Sequence, residues 1–391
     1  MKKFGYLMGA ALLTLGSCTN EINEEGFVDK ANTISFNAYP NKTRAVEDDV
    51  TSDNMKGDNF GVVGYKSDNR IYLYKGNNSA VEQKWQSSGE SGSWEYSNME
   101  DLKFWPSGSM DFYAYFPYSD NATFAESDAS GDVMTISNVD CSHDVLFAYN
   151  GSQEKIARVP LTFNHAFSKI KGLVIEMPEE GSLFKSNCQV EVQKVEFINT
   201  STKGDVKVNN LGKASYSVNP SNVILSETLD PVVTINKTAD NTSKYLINNG
   251  TNAKGYLFAT NSSEIKSVTG TGKTMWDGVQ SNITGDNHKL SESELVCLKL
   301  TCKVWNGTDS NKYYYVGDEG DNNYGEVYIP LTGNASNSNS VSTFDAGKRY
   351  TYKIVMKDNV GYTNEGDPIL TPILFNASVT GWDDVTVTIT L

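Results

Sequence analysis

The strongest constraint on the fold is that the sequence lacks the periodicity of helices. No long segment places apolar residues at i, i+3, i+4 and i+7, the spacing that an amphipathic helix requires. Instead, the chain carries many short alternating or apolar runs, each bounded by glycine, asparagine, aspartate or serine. Clear examples are Ile34–Tyr39, Met110–Phe116, Val190–Ile198, Leu295–Val304 and Val385–Leu391. Many short strands separated by turn residues predict an all-β protein built from packed sheets.

The length of the chain indicates how many units these strands form. A domain typically holds about 100–200 residues, so the 391 residues suggest two domains. The mostly polar segment Gly151–Arg158 separates two strand-rich halves of the sequence. We therefore predict an N-terminal β-sandwich domain over residues 45–155 and a C-terminal β-sandwich domain over residues 156–391.

Composition and motifs argue against several classes of function. The formal net charge is −15, so the chain lacks the basic face that contacts with nucleic-acid phosphates need. The chain has only three histidines, which argues against a multi-histidine metal site. Neither Gly-x-Ser-x-Gly nor His-Glu-x-x-His occurs. We therefore expect neither enzyme activity nor a cofactor or metal, although sequence alone does not test for distant paired carboxylates.

The first residues have the pattern of an export signal. Lys2 and Lys3 precede an apolar stretch from Phe4 to Leu15, which is shorter than the roughly 20 residues that a spanning helix needs. This stretch ends in Leu-Gly-Ser-Cys at Cys18, which resembles the lipobox of bacterial lipoproteins. We predict that residues 1–17 are a lipoprotein signal peptide and that Cys18 carries the lipid, such as palmitate. The alternative is an ordinary secretory signal with a chance cysteine.

A strand near the N-terminus is followed by a cleavable loop. Ile34, Phe36 and Ala38 alternate with polar residues, so they should share one face of a strand. The basic, polar loop after this strand contains Arg44 and Ala45, where an Arg-specific protease could cut. Cleavage would release a propeptide of residues 18–44 together with the strand. The apolar groove left behind would be costly in water, and another apolar strand would relieve that cost.

The C-terminal strand also has one wholly apolar face. Val385, Val387, Ile389 and Leu391 alternate with three threonines up to the terminal carboxylate. Such a strand must be buried, and the residues leave two placements open. Residues 385–391 could be the last strand of the chain's own second domain, or they could be a donor strand that fills a neighbour's groove.

Several segments share their order and spacing with one known family. The segments are the lipobox at Cys18, Ile34–Arg44, Phe104–Pro117, Leu161–Ile170, Ala346–Tyr350 with Tyr352, and Val379–Trp382. On these residues the sequence resembles the Bacteroidales fimbrillin family, the subunits of type V pili. The resemblance spans nearly the whole chain.

The resemblance implies a fold and a route of maturation. It implies two transthyretin-like β-sandwich domains in tandem and export as an outer membrane lipoprotein precursor. A trypsin-like protease would cut between Arg44 and Ala45 and release the strand of Ile34, Phe36 and Ala38. Polymerisation into a cell-surface fimbrium that supports adhesion would follow by donor-strand exchange. The candidate donor side chains are Val385, Val387, Ile389 and Leu391. The implied partners are other fimbrial subunits, with host glycans or proteins as further partners.

A second function and several details stay open at the level of sequence. The chain could instead be a fimbrial tip adhesin or a glycan-binding surface lipoprotein that does not polymerise, with exposed aromatics such as Tyr313–Tyr315 contacting sugar. We expect His165 to be a core side chain, and the acidic segment Gly317–Tyr324 to be a solvated turn instead of a Ca²⁺ site. The pairing of Cys141, Cys188, Cys297 and Cys302 has three possibilities that sequence does not rank.

Overall fold

A computed structural model of the chain describes about three fifths of its residues. The described ranges are residues 32–41, 53–88, 91–125, 131–140, 143–177, 188–198, 203–218, 225–236, 243–247, 256–259, 297–308, 311–330, 345–355, 374–379 and 384–390. Within these ranges the regular structure consists of β-strands and two short 3-10 helices, Asn54–Gly57 and Met99–Asp101, with no α-helix. The prediction of an all-β protein is therefore confirmed.

The first ten strands precede residue 166. They are β1 (Phe36–Pro40), β2 (Phe60–Lys66), β3 (Ile71–Leu73), β4 (Val81–Ser88), β5 (Ser91–Tyr96), β6 (Met110–Phe116), β7 (Ala122–Phe124), β8 (Asp132–Asp140), β9 (Leu146–Gln153) and β10 (Val159–His165). Eight of them form one sheet in the order β1-β10-β9-β6-β2-β4-β5, with β3 beside β2. β1 runs parallel to β10, and the other neighbours are antiparallel.

The remaining strands follow in the second part of the chain. They are β11 (Phe167–Glu176), β12 (Gln189–Ile198), β13 (Lys203–Asn209), β14 (Ala214–Val218), β15 (Leu225–Asn236), β16 (Ser243–Ile247), β17 (Tyr256–Ala259), β18 (Cys297–Asn306), β19 (Tyr313–Val316), β20 (Gly325–Pro330), β21 (Arg349–Val355), β22 (Leu374–Val379) and β23 (Asp384–Thr390). One sheet has the order β16-β11-β21-β23-β22, with β17 also on β11. Another has the order β15-β12-β18-β19, with β20 also on β18.

The eight-stranded sheet is curled, because its two edge strands, β1 and β5, lie in contact with each other. Phe60, Phe112 and Phe163 lie inside the curl on alternating strand positions and are fully buried. Alternation along β2 and β6 places Tyr65 and Tyr113 on the outer face, where they join a second apolar cluster. Both faces of this sheet are therefore covered, which explains the nearly continuous apolar runs in β2 and β6.

A four-stranded sheet, β14-β13-β8-β7, covers the outer face. Its buried residues include Met134 of β8 and Val206 of β13. The hairpin β13–β14 therefore pairs with a strand from much earlier in the chain.

The pairing of β13 with β8 and the pairing of β9 with β10 both bear on the predicted division into domains. β9 and β10 flank the predicted boundary between residues 155 and 156, and they pair with each other at Asn164–Phe147 and His165–Leu146. Strands from both sides of that boundary thus share a sheet, and the two transthyretin-like domains stay a prediction. The change from the curled sheet to the next one occurs at Ala166, between β10 and β11.

A β-bulge keeps the apolar face of β12 continuous. Val190 and Val192 are buried, and the register with β18 then shifts between Val192 and Lys194. The shift returns Val195 and Phe197 to the buried face.

In the described part of the chain, no helix has the length and apolar character needed to cross a membrane.

Candidate functional site

The first strand occupies a groove between the two edges of the curled sheet. The groove has β10 on one side and β5 on the other, and its floor is formed by Phe60, Phe112 and Phe163. We call this space the β1 groove. Because β1 closes the curl, its removal would leave the edge of β10 unpaired and the floor open to water.

β10 holds β1 through a parallel backbone ladder. The ladder runs from Phe36 opposite Val159 to Pro40 opposite Phe163. At its start the amide of Val159 donates to the carbonyl of Ser35 at 2.7 Å, and at its end the amide of Asn41 donates to the carbonyl of Phe163 at 2.6 Å. These contacts involve only main-chain atoms, so they do not depend on the side chains of β1.

β5 holds β1 differently, through two side chains. The indole Nε1–H of Trp94 donates to the carbonyl of Ala38 at 3.3 Å, and the hydroxyl of Tyr96 donates to the carbonyl of Ile34 at 2.9 Å. Trp94 and Tyr96 are two residues apart on one strand, so their side chains project from the same face. The acceptors are main-chain carbonyls four residues apart. We call this pair of donors the β5 clamp.

The inward side chains of β1 fill the groove. Ile34 and Phe36 are fully buried, and Ala38 packs half-buried against the same apolar cluster. The ring of Phe36 meets those of Phe60 at 6.3 Å and Phe112 at 5.5 Å between centroids, both edge to face. Full burial of an isoleucine or a phenylalanine side chain contributes about 1.5–3 kcal/mol. These two side chains therefore supply much of the free energy that keeps β1 in the groove.

The polar groups of the groove are uncharged. Burial raises the pKa of the Tyr96 phenol well above its ordinary value, while a backbone hydrogen bond at Lys103 acts in the opposite direction. Tyr96 therefore keeps its proton, and its role as a donor, at any physiological pH. Gln83 lies opposite Tyr96 on β4, is fully buried, and has no hydrogen-bond partner for its amide among the described residues.

The residues predicted for processing flank this groove in the sequence. Cys18, Arg44 and Ala45 lie outside the described residues, as does Leu391. The described part of the N-terminal segment ends at Asn41, an exposed residue whose side-chain amide donates to Asn164 Oδ1 at 3.1 Å. The chain thus leaves the groove at the surface, a few residues before Arg44.

The C-terminal strand lies inside a sheet of its own chain. β23 pairs in parallel with β21, where Tyr350 is opposite Val385 and Tyr352 is opposite Val387. On its other side it pairs antiparallel with β22, where Phe375 is opposite Ile389. This is one of the two placements that the sequence left open. Donation to another copy requires β23 to leave both of these neighbours.

Two other features singled out in the sequence, His165 and the acidic segment, lie within the described ranges. His165 is buried, and its Nδ1 lies 2.5 Å from Oδ2 of Asp144. In the acidic segment Gly317–Tyr324, the ammonium group of Lys303 donates to the carbonyl of Gly320 and lies 4.6 Å from the ring of Tyr324. A protein cation is therefore already inside this turn. No group of three or more potential metal ligands occurs within the described ranges.

The cysteines whose side chains are described are buried thiols. Cys188 and Cys302 are both fully buried, and Cys302 is a free thiol. Burial raises the pKa of the Cys302 thiol to about 12, so this residue stays protonated and unreactive near neutral pH.

Sequence reasoning missed the β5 clamp. Trp94 and Tyr96 alternate with polar residues, which predicts a strand with two aromatic side chains on one face. Nothing in that pattern distinguishes a core aromatic from one whose N–H or O–H reaches a neighbouring backbone. The enrichment of buried tryptophan and tyrosine at positions where a polar tip finds a partner is the only general signal.

Comparison with known proteins identifies the family. Residues 43–382 match the family model described as fimbrillin-like. The chain belongs to the fimbrillin-like family. The matched residues begin after β1 and end before β23, so both strands of interest lie outside the match.

Solved structures provide further likenesses for this fimbrillin-like chain. A fimbrial protein from Bacteroides vulgatus is 16% identical, with 83% of this chain and 95% of that chain covered and a TM-score of 0.49. The fimbrial anchor protein Mfa2 from Porphyromonas gingivalis is 12% identical, with 54% of this chain and 79% of that chain covered and a TM-score of 0.23. None of the curated proteins that were compared matches the chain.

Proposed function

We propose that this chain is a structural subunit of a cell-surface fimbrium that matures by proteolysis and polymerises by donor-strand exchange. Membership in the fimbrillin-like family supports the fimbrial role, with other fimbrial subunits as partners, and indicates a structural protein instead of an enzyme. In the proposed route, Cys18 anchors the precursor to the outer membrane, and a trypsin-like protease cuts between Arg44 and Ala45.

The observation that carries the exchange mechanism is the position of β1. β1 closes a curled sheet, yet it comes from the N-terminal end of the chain. Its backbone is held by the main-chain ladder with β10, by the β5 clamp, and by the amide of Ile34, which donates to the carbonyl of Lys103 at 3.0 Å. A cut after Arg44 separates the chain of β1 from that of the later strands and lies outside every strand that the structure describes. Once it leaves, the groove can accept another extended segment with apolar residues at alternate positions.

The energetics favour an apolar replacement strand from another subunit. Burial of Val385, Val387, Ile389 and Leu391 contributes about 1.5–3 kcal/mol for each side chain before ordering costs. The main-chain ladder along β10 adds to this. Donation from one copy to the next is a head-to-tail contact that does not close on itself, so repetition builds a filament.

A defined proteolysis experiment tests this proposal. Purified protein that begins at Asn20 is digested with trypsin, analysed by mass spectrometry and followed on unheated SDS gels for several days. We expect a cut after Arg44 and then a ladder of SDS-resistant multimers. Arg44→Ala should abolish the ladder, whereas Arg158→Ala, at an exposed arginine of the described chain, should not. A full ladder from Arg44→Ala would show that the mechanism is wrong.

A second candidate function rests on exposed aromatic side chains. Tyr313 on β19 is 66% exposed, and its ring lies 5.1 Å from that of Tyr315. Both tyrosines are on the edge strand of their sheet, where a sugar ring could stack on them. This arrangement would suit a glycan-binding tip adhesin. The candidate predicts binding on a glycan array that Tyr313→Ala abolishes, and an array without any binding counts against it.

A further inference from the structure

The hairpin β13–β14 follows β11 and β12 in the chain, but it is docked on strands that precede them. We call β1–β10 the first half of the chain and β11–β23 the second half. β13 pairs antiparallel with β8 of the first half. Its side chains Val206 and Val208 are buried in the apolar cluster on the outer face of the curled sheet. The second half therefore supplies part of the core of the first half.

The hairpin is an excursion from a single point of the second half. β12 ends at Ile198 and β15 begins at Leu225, and the two strands pair with each other up to Phe197 opposite Leu225. Residues 199–224, which contain the hairpin, thus leave and return at the same end of one ladder. β12 also pairs along its length with β18. Removal of residues 199–224 therefore interrupts no strand of the sheet that contains β12.

A β-bulge in β8 identifies the position at which the hairpin docks. The register shifts between Gly204 and Val206, so that Ser137 and Asn138 of β8 together face Asp205. Asn138 has a φ of +52°, and its amide donates to Oδ1 of Asp205 at 2.9 Å. The carboxylate thus accepts from an amide that the bulge turns out of the regular ladder. A hairpin displaced along β8 would lose this hydrogen bond.

The turn of the hairpin fits against the ring of Tyr149 on β9. Hydrogen bonds within the turn close it, because Oδ1 of Asn209 accepts from the amides of Leu211 at 3.0 Å and Lys213 at 2.9 Å. Gly212 has a φ of +71°, and a Cβ atom there would lie 2.3 Å from Cδ1 of Tyr149. Both the backbone conformation and this close approach therefore require glycine.

From these contacts we infer that the hairpin β13–β14 is an interlock, by which the second half completes the outer sheet of the first half and makes both halves one cooperative unit. The inference goes beyond the proposed function and does not depend on it. The chain passes from the first half to the second at Ala166, between β10 and β11. The interlock is a further connection, so a force that pulls on one half is transmitted through the hairpin as well as through Ala166.

The outer sheet of the first half is incomplete without the hairpin. Undocking would leave β7 as the described neighbour of β8, and a two-stranded ribbon is marginally stable in water. It would also expose apolar side chains of β8, such as Met134 and Ile136, which are buried in the same cluster as Val206. We therefore expect the backbone amides of β8 to lose protection from hydrogen exchange when the hairpin is absent.

A deletion variant tests the interlock. Residues 199–224 are replaced by Asn-Gly, which suits a tight turn between antiparallel strands. Hydrogen–deuterium exchange with mass spectrometry follows the amides of β8 and β12 over a series of urea concentrations. In the unsubstituted chain both strands should lose protection at the same urea concentration, whereas in the deletion variant β8 should lose it at a lower concentration than β12. Different concentrations in the unsubstituted chain, or equal ones in the deletion variant, would overturn the interlock.

A matched pair of glycine variants tests the docked turn in a chain that keeps its hairpin. Gly212→Ala places a methyl group against the ring of Tyr149. Gly108→Ala is the control, because Gly108 also has a positive φ, +88°, but the nearest atom to its Cβ position is Oγ of Ser67 at 3.8 Å. Both variants therefore strain a left-handed backbone, and only one disturbs the docked turn.

The exchange rates of the β13 amides distinguish the two variants. We expect these amides to exchange about tenfold faster in Gly212→Ala than in Gly108→Ala, because the substituted turn undocks more often. Equal rates in the two variants would overturn the interlock, and this comparison decides the matter if the deletion variant does not fold. Neither experiment involves proteolysis or multimers, so both outcomes are independent of the fimbrial mechanism.

Discussion

Phe36→Ala should separate the stability of the precursor from that of the polymer. Phe36 is fully buried and packs edge to face on Phe60 and Phe112, so its truncation leaves a cavity in the groove. Truncation of a buried phenylalanine typically costs about 3–5 kcal/mol. We expect the uncut chain to lose this amount of unfolding free energy from its curled sheet. In the polymer, β1 has left, so the same substitution should have no effect.

Urea unfolding of the uncut chain and of isolated multimers measures both quantities, with tryptophan fluorescence as the signal. Phe112→Ala is the matched control, because Phe112 is also fully buried but remains part of the floor after exchange. It should destabilise both forms. If Phe36→Ala weakens the multimers as much as it weakens the uncut chain, β1 is still in the groove of the polymer, and the reasoning fails.

Two further predictions concern the groove and the donor strand. Gln83→Met should raise the unfolding free energy of the uncut chain by about 1–3 kcal/mol, because it removes a fully buried amide without a described hydrogen-bond partner. The control is Gln86→Met, at an exposed position of β4, which should change the unfolding free energy little. Thermal unfolding measures both variants, and an unchanged midpoint for Gln83→Met would contradict the prediction. The double variant Thr351→Cys with Thr386→Cys joins residues that are opposite each other on β21 and β23. Its disulfide should prevent the formation of multimers, as seen on unheated SDS gels, and a reductant should restore their formation. The two single variants are the controls. A ladder of multimers from the oxidised double variant would show that β23 is not the donor.

The local features of the fold could be predicted from the sequence because they depend on neighbouring residues. Alternation of apolar and polar residues correctly indicated strands throughout the described chain. The same alternation predicted that Ile34, Phe36 and Ala38 share a face, and in the structure all three face the apolar cluster. A strand has a period of two, so its inward face can be assigned without knowledge of its partner.

Long-range pairing could not be predicted in the same way. β1 pairs with β10, which lies more than a hundred residues later, and a parallel ladder has no turn between its strands to set the register. The contribution of Trp94 and Tyr96 depends on the curl that brings β5 against β1, which is a property of the whole sheet. The apolar face of residues 385–391 fits more than one groove, so its placement on β21 and β22 required the structure.

The most direct test of the central claim is to determine whether the polymer still contains β1. Multimers are isolated from an unheated SDS gel after trypsin treatment, washed and analysed by intact mass and by quantitative peptide mass spectrometry. The account predicts that every subunit begins at Ala45 and that peptides covering Ile34–Tyr39 are absent from the multimers. Recovery of those peptides in equal amount to the rest of the chain would contradict strand exchange at the β1 groove.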